Sequence, residues 1–186
     1  MIRKILCICG FAFFSLPLMA DEAAFSLNEK LVTRYVQSLG DMLPMLQSVD
    51  QGEQFWQDSA PDGVPDALYI GRIERDSDLY HQLNRQAQRH GFSGVDQWAQ
   101  VGDRVLLTRL YIQERKELDA LYESLDELEQ DLLNNSRQYS TAELEQIMRT
   151  FYDSRDHIRM VVSTRPDAPL VQAHMADLDA ALSSIE

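Results

Sequence analysis

Four histidines, His81, His90, His157 and His174, are the side chains best suited to proton transfer or metal ligation near neutral pH. Their spacing selects no known chemistry. Asp153 and His157 are four apart, so a helix sets them on one face, and Asp78 precedes His81 by three; the Glu-x-x-His spacing of di-iron bundles does not occur. Asp153, His157 and His174 are therefore the alternative metal-ligand candidates, with surface or boundary histidines as the competing reading. No zinc-protease, P-loop, nucleophile-elbow, dinucleotide-binding or haem-attachment pattern is found. We expect no catalytic residues, no cofactor and no metal.

A second arrangement is suited to binding. Trp98, Arg104 and Tyr111 fall on one expected helix, where an arginine beside aromatic rings would line a groove and recognise an anion or carboxylate. The competing reading makes Trp98 a core anchor and pairs Arg104 with an acid.

Compartment and charge narrow the partners. Arg3 and Lys4, the uncharged run from Ile5 to Leu18 and the small Ala20 before Asp21 have the layout of a cleaved signal peptide over residues 1–20. The apolar run is too short to span a bilayer and contains Gly10 and Pro17. Cys7 and Cys9 both fall inside it, so the mature chain would lack cysteine, which favours a bacterial periplasm or secretion and excludes thiolate chemistry. The net charge is −13, and removal of Arg3 and Lys4 leaves 30 acidic against 15 basic residues, or −15. Such a chain repels nucleic acid and anionic lipid. Eight of the acids lie between Glu114 and Asp131, opposed only by Arg115 and Lys116.

The elements that would position these residues are helical throughout. Apolar residues return at three- and four-residue intervals, and alternation of period two never persists. Residues 21–186 are expected to form one domain, an antiparallel bundle of four to six helices with a long central helix and a helical hairpin. A first helix is expected from Ser26 by a Ser26–Glu29 capping box, burying Leu27, Leu31, Tyr35, Leu39, Met42 and Leu46, with a kink or end near Asp41 ahead of Pro44. Gln51 to Asp66 reads as a loop with Phe55 and Trp56 folding back; a second helical stretch follows and ends at Gly91.

Ser93 is expected to cap the long helix, Gly94 to Leu133, in which Leu118, Leu121, Leu125, Leu128 and Leu132 repeat at 3,4,3,4 spacing. Ser140 and Glu143 form another capping box, opening a helix whose Leu144, Ile147, Met148, Phe151, Ile158 and Val162 face the leucine seam. Asp167 is placed to cap a last helix with Val171, His174, Met175, Leu178, Leu182 and Ile185 facing inward.

Small periplasmic helical chaperones of the Spy type are similar in export, helical class and lack of mature cysteine. They are recognised by Leu-Thr-x-x-Gln repeats and a basic concave face, whereas Leu31-Val32-Thr33-Arg34 does not match and this chain is acidic, so the residues assign no family. The expected function is a non-enzymatic interaction protein of the cell envelope, with a small-ligand or metal-binding bundle as the alternative. A protein, a cationic peptide or a second copy are the candidate partners; nucleic acid and a transmembrane anchor after processing are not expected.

Overall fold

The computed structural model describes residues 25–47, 70 and 73–183, and these are helical with no strand among them. The proposed signal peptide and the 51–66 loop with Phe55 and Trp56 lie outside the described residues. Six helices of nine residues or more, α1 (Glu29–Gln47), α2 (Asp78–Arg89), α3 (Val95–Gln113), α4 (Arg115–Asn134), α5 (Thr141–Val162) and α7 (Met175–Ser183), plus the one-turn α6 (Ala168–Gln172), pack as a bundle.

Helix α1 begins two residues later than the Ser26 box predicts. Asn28 supplies the cap instead, its Oδ1 accepting from the Leu31 amide at 3.1 Å. Pro44 neither ends nor displaces α1 at Asp41. The carbonyl that loses its partner belongs to Gly40, which is exposed to water and has no neighbour within 4 Å where a Cβ would stand. Burial of Met42, Leu43 and Leu46 on either side of the proline then holds the last turn against the core.

The expected stop at Gly91 is found, with φ +82 in the left-handed region that favours glycine. Its carbonyl accepts from Arg34 Nη1 at 2.8 Å, tying the α2–α3 turn to α1. Ser93 does not cap α3. The Val95 amide donates to Asn84 Oδ1 of α2 at 3.0 Å, while the Ser93 amide donates to Gln97 Oε1 at 2.7 Å.

The main core joins α1, α2, α3, α6 and α7 around Tyr35, Leu39, Leu83, Val95, Trp98, Val101, Val105, Val171 and Leu178, all fully buried. Tyr35 packs closely on α3: a Cβ added to Gly102 would stand 2.8 Å from Tyr35 Cε2. The Tyr35 hydroxyl is buried and makes no hydrogen bond among the described residues, and burial holds its pKa well above the usual tyrosine value. Tyr35→Phe is accordingly expected to leave stability unchanged or raised in a urea melt, because it removes a desolvated group that has no partner. A loss above about 1 kcal/mol would show that the hydroxyl is satisfied.

The expected single long helix is two. Glu114 leaves helical geometry at φ −107, ψ 20 and separates α3 from α4. No proline or glycine causes this; Gln113 to Glu117 is an unbroken polar run with no apolar side chain to hold it on the core, and the break is one residue wide, since the Glu114 amide still donates to the Leu110 carbonyl and its carbonyl accepts from the Leu118 amide. A smaller core of Leu107, Tyr111, Leu118, Val161 and Val162 then seats the base of the α4–α5 hairpin. The last helix is likewise divided, by a turn at Ala173 and His174. Asp167 makes no side-chain cap there, because its carboxylate is taken by Arg104.

Candidate functional site

The structure separates the three residues of the expected groove. Trp98 is fully buried in the main core, where its Nε1 donates to Ser38 Oγ at 2.6 Å and its ring lies 5.3 Å from that of Tyr35. Arg104 is consumed by structure: Nε donates to the buried Asp167 carboxylate and Nη2 to the Ser163 carbonyl at 3.0 Å, clamping α3 to the end of α5. Tyr111 belongs to the smaller core, with a different arginine beside it. Arg165 Nε donates to the Tyr111 hydroxyl at 3.0 Å, and its guanidinium lies 5.8 Å from the ring centre. Trp98 as core anchor and Arg104 as ion-pair partner is the reading that the geometry supports; a groove shared by all three is not formed.

The alternative metal ligands are not brought together. Asp153 is exposed on α5 and His157 is half-buried beside it, with Nδ1 buried and without a hydrogen bond among the described residues. His174 lies in the α6–α7 turn against α1, its Nε2 3.4 Å from Thr33 Oγ1. Among the described residues no three His, Cys, Asp or Glu side chains converge in metal-binding geometry.

Two features that spacing alone does not reveal carry more chemistry. The first is the hairpin. Its second helix, α5, opens with the expected capping box: the Glu143 amide donates to Ser140 Oγ, and the Glu143 carboxylate accepts from the Ser140 hydroxyl and amide, which hold its carboxyl below the usual carboxylate range. One edge of the α4–α5 contact is closed by polar side chains: the Tyr152 hydroxyl donates to Glu129 at 3.0 Å, Arg155 lies 3.4 Å from the same carboxylate, and Arg159 approaches Asp126 at 4.0 Å. Between the helices Leu118 and Leu125 are buried, at 9% and 4% exposure. Leu121 and Leu128, the other half of the same repeat, remain 44% and 42% exposed.

At 100° per residue, Leu121 and Leu128 stand on the edge of α4 away from Asp126 and Glu129. Ile147 and Phe151 stand on the corresponding edge of α5, away from Tyr152 and Arg159. There Ile147 and Phe151 line a cleft of about 560 Å³ together with Tyr139, Glu143, Thr150 and Ser154. Exposed Glu117 and Asp131 border the leucines one turn away. The hairpin thus presents an apolar strip with an acidic rim, and the seam expected to be fully paired is half uncovered.

The second feature is a cleft of about 330 Å³ where the α3–α4 break meets the Arg165–Asp167 turn and α6, lined by Tyr111, Ile112, Arg115, Arg165, Pro169 and Gln172 among others. Behind it the Tyr111 hydroxyl donates to Asp119 at 3.2 Å, Arg165 Nη2 donates to the same carboxylate at 2.6 Å, and Arg115 Nε stands 3.8 Å from it. Bonding to Asp119 and Tyr111 holds the Arg165 pKa above its ordinary value. The sequence pairs Tyr111 with Arg104; the arginine beside it is Arg165, 54 residues away. No helix among the described residues is long and apolar enough to cross a membrane. Comparison of the chain with protein-family models, with curated proteins and with solved structures finds no match.

Proposed function

We propose that this is a non-enzymatic interaction protein of the bacterial cell envelope, exported to the periplasm by cleavage near Ala20, whose α4–α5 hairpin docks a cationic amphipathic segment of a partner protein. The observation that carries the reading is the exposure of Leu121 and Leu128 beside the buried Leu118 and Leu125. An apolar heptad position left open along two helical turns is the geometry into which a further amphipathic helix packs. The charge of the partner follows from the surroundings of the strip: Glu117 and Asp131 border the leucines, and α4 as a whole carries seven acids against Arg115 and Lys116. A positively charged segment gains in encounter rate and orientation from such a surface, while a second copy of α4 against α4 would bring like charges together.

The test is calorimetric titration of the mature chain with a designed helical peptide carrying leucines on one face and lysines on the other. A glutamate-for-lysine peptide serves as control. The lysine peptide is expected to bind, to weaken as salt rises, and to lose about tenfold or more in affinity for each of Leu121→Asp and Leu128→Asp, since each leucine covered contributes roughly 1.5–3 kcal/mol. Both positions are already wet, so the variants are expected to fold normally. Equal binding of the two peptides, or no effect of the substitutions, would contradict the reading. A dimer that sediments as such and is dissolved by the same substitutions would assign the strip to a second copy instead.

A further inference from the structure

We infer that the cleft at the α3–α4 break is a binding site for a small organic acid, a carboxylate carried on an apolar body, held by Arg115 and Arg165. The inference does not rest on the hairpin reading, since the two features share no lining residue.

Charge is the first reason. In a chain with 30 acidic and 17 basic residues, the cleft is lined by two arginines and no acid. Asp119 stands behind the lining and is a single carboxylate against two guanidiniums, so the site keeps a positive excess inside a strongly negative molecule. An anion is therefore drawn to this site within a molecule that otherwise repels it.

Preorganisation is the second. Arg165 is fixed through Nε on the Tyr111 hydroxyl and Nη2 on Asp119, which leaves its Nη1 group without a bond among the described residues. Arg115 meets only Asp119 among the described residues, beyond hydrogen-bond distance, and its side chain is 69% exposed, so its Nη groups are available to a ligand. The two arginines already flank one carboxylate from the protein, and the donors they retain are of the fork type that takes a second.

The rest of the wall sets the ligand's body. Ile112, Ala168 and Pro169 offer an apolar surface with Gln172 as a neutral polar neighbour. About 330 Å³ is within the range of small-molecule sites and exceeds what a bare inorganic ion fills. Hence the chemistry is a carboxylate joined to a short aliphatic or aromatic group.

The probe pair is 3-phenylpropionate and 3-phenylpropylamine, which share a body and differ in charge, with inorganic phosphate as a third arm. Amide chemical-shift titration of the full chain reads both affinity and place. Saturable shifts confined to residues 111–119 and 165–172 are expected with phenylpropionate and not with the amine. Arg115→Gln is expected to weaken binding about tenfold or more, the usual loss for one charge-assisted hydrogen bond, without altering the fold. Arg115→Lys should recover only part of it, because the fork is lost. Binding of the amine at the same residues, phosphate saturating with equal affinity, or an Arg115→Gln chain that binds unchanged would each overturn the proposal.

Discussion

Trp98→Ala is expected to cost about 3–5 kcal/mol in a urea or thermal melt, the range for deleting a fully buried large aromatic side chain. Trp98 is 0% exposed and lies where α1 and α3 meet, its ring 5.3 Å from Tyr35 and its Nε1 bonded to Ser38 Oγ. The substitution removes three contributions together: apolar burial, the ring contact and the donor to a buried hydroxyl. Ser38 keeps one bond, donating to the Tyr35 carbonyl at 2.7 Å, so its hydroxyl is not orphaned and the cavity is the dominant loss. Domains of this size have total stabilities of roughly 5–15 kcal/mol, so the variant should lie near the edge of folding. Trp98→Phe separates the parts, since it keeps most of the volume and drops the donor, and about half the loss or less is expected from it. If Trp98→Ala melts within about 1 kcal/mol of the native chain, the main core is not organised around this residue.

The second large effect is a contrast inside one repeat. Leu125→Ala should destabilise by about 2–5 kcal/mol, because the side chain is 4% exposed between α4 and α5 and leaves a cavity. Leu128→Ala, three residues on and 42% exposed, should change stability by no more than about 0.5 kcal/mol. A coiled-coil seam closed on both sides would give the two substitutions similar losses. Similar losses would therefore show that the strip is covered within the free chain and is not available to a partner.

That contrast marks the limit of what spacing can say. The 3,4,3,4 repeat correctly grouped Leu118 to Leu132 on one stripe of α4 and placed α5 against it, because helical periodicity and the Ser140–Glu143 box are properties of local chain. Whether both edges of the stripe meet a neighbour depends on how many helices surround it, which no local pattern encodes. Gly91 as a helix stop was legible for the same local reason, and the burial of Tyr35, Leu39, Met42 and Leu46 on one face of α1 followed from their spacing, while Leu31 on that helix is half-buried and the buried Leu27 precedes it.

The break at Glu114 has a faint sequence signal: five polar residues from Gln113 to Glu117 interrupt the apolar period, although each is a good helix former and no proline intervenes. Caps supplied from afar, such as Asn84 on the Val95 amide, are invisible in sequence, as is the choice of arginine beside Tyr111. Arg104 and Arg165 were equally eligible by type. The acid at Asp167 and the backbone at Ser163 claim the first, leaving the second at the cleft.

The most direct measure of the hairpin's role is hydrogen–deuterium exchange of residues 21–186 with and without the lysine-faced helical peptide. Exchange reports where backbone openings are suppressed, so it locates the bound surface as well as detecting it. Acids are spread over the molecule, and attraction by charge alone would slow exchange weakly and diffusely. Docking on the apolar strip predicts protection concentrated in 117–133 of α4 and 141–154 of α5, retained at raised salt once the peptide concentration is increased to keep the site saturated, and abolished by Leu121→Asp with Leu128→Asp. Protection centred on α1, α2 or α7, or none in the hairpin while the peptide is bound, would contradict the account.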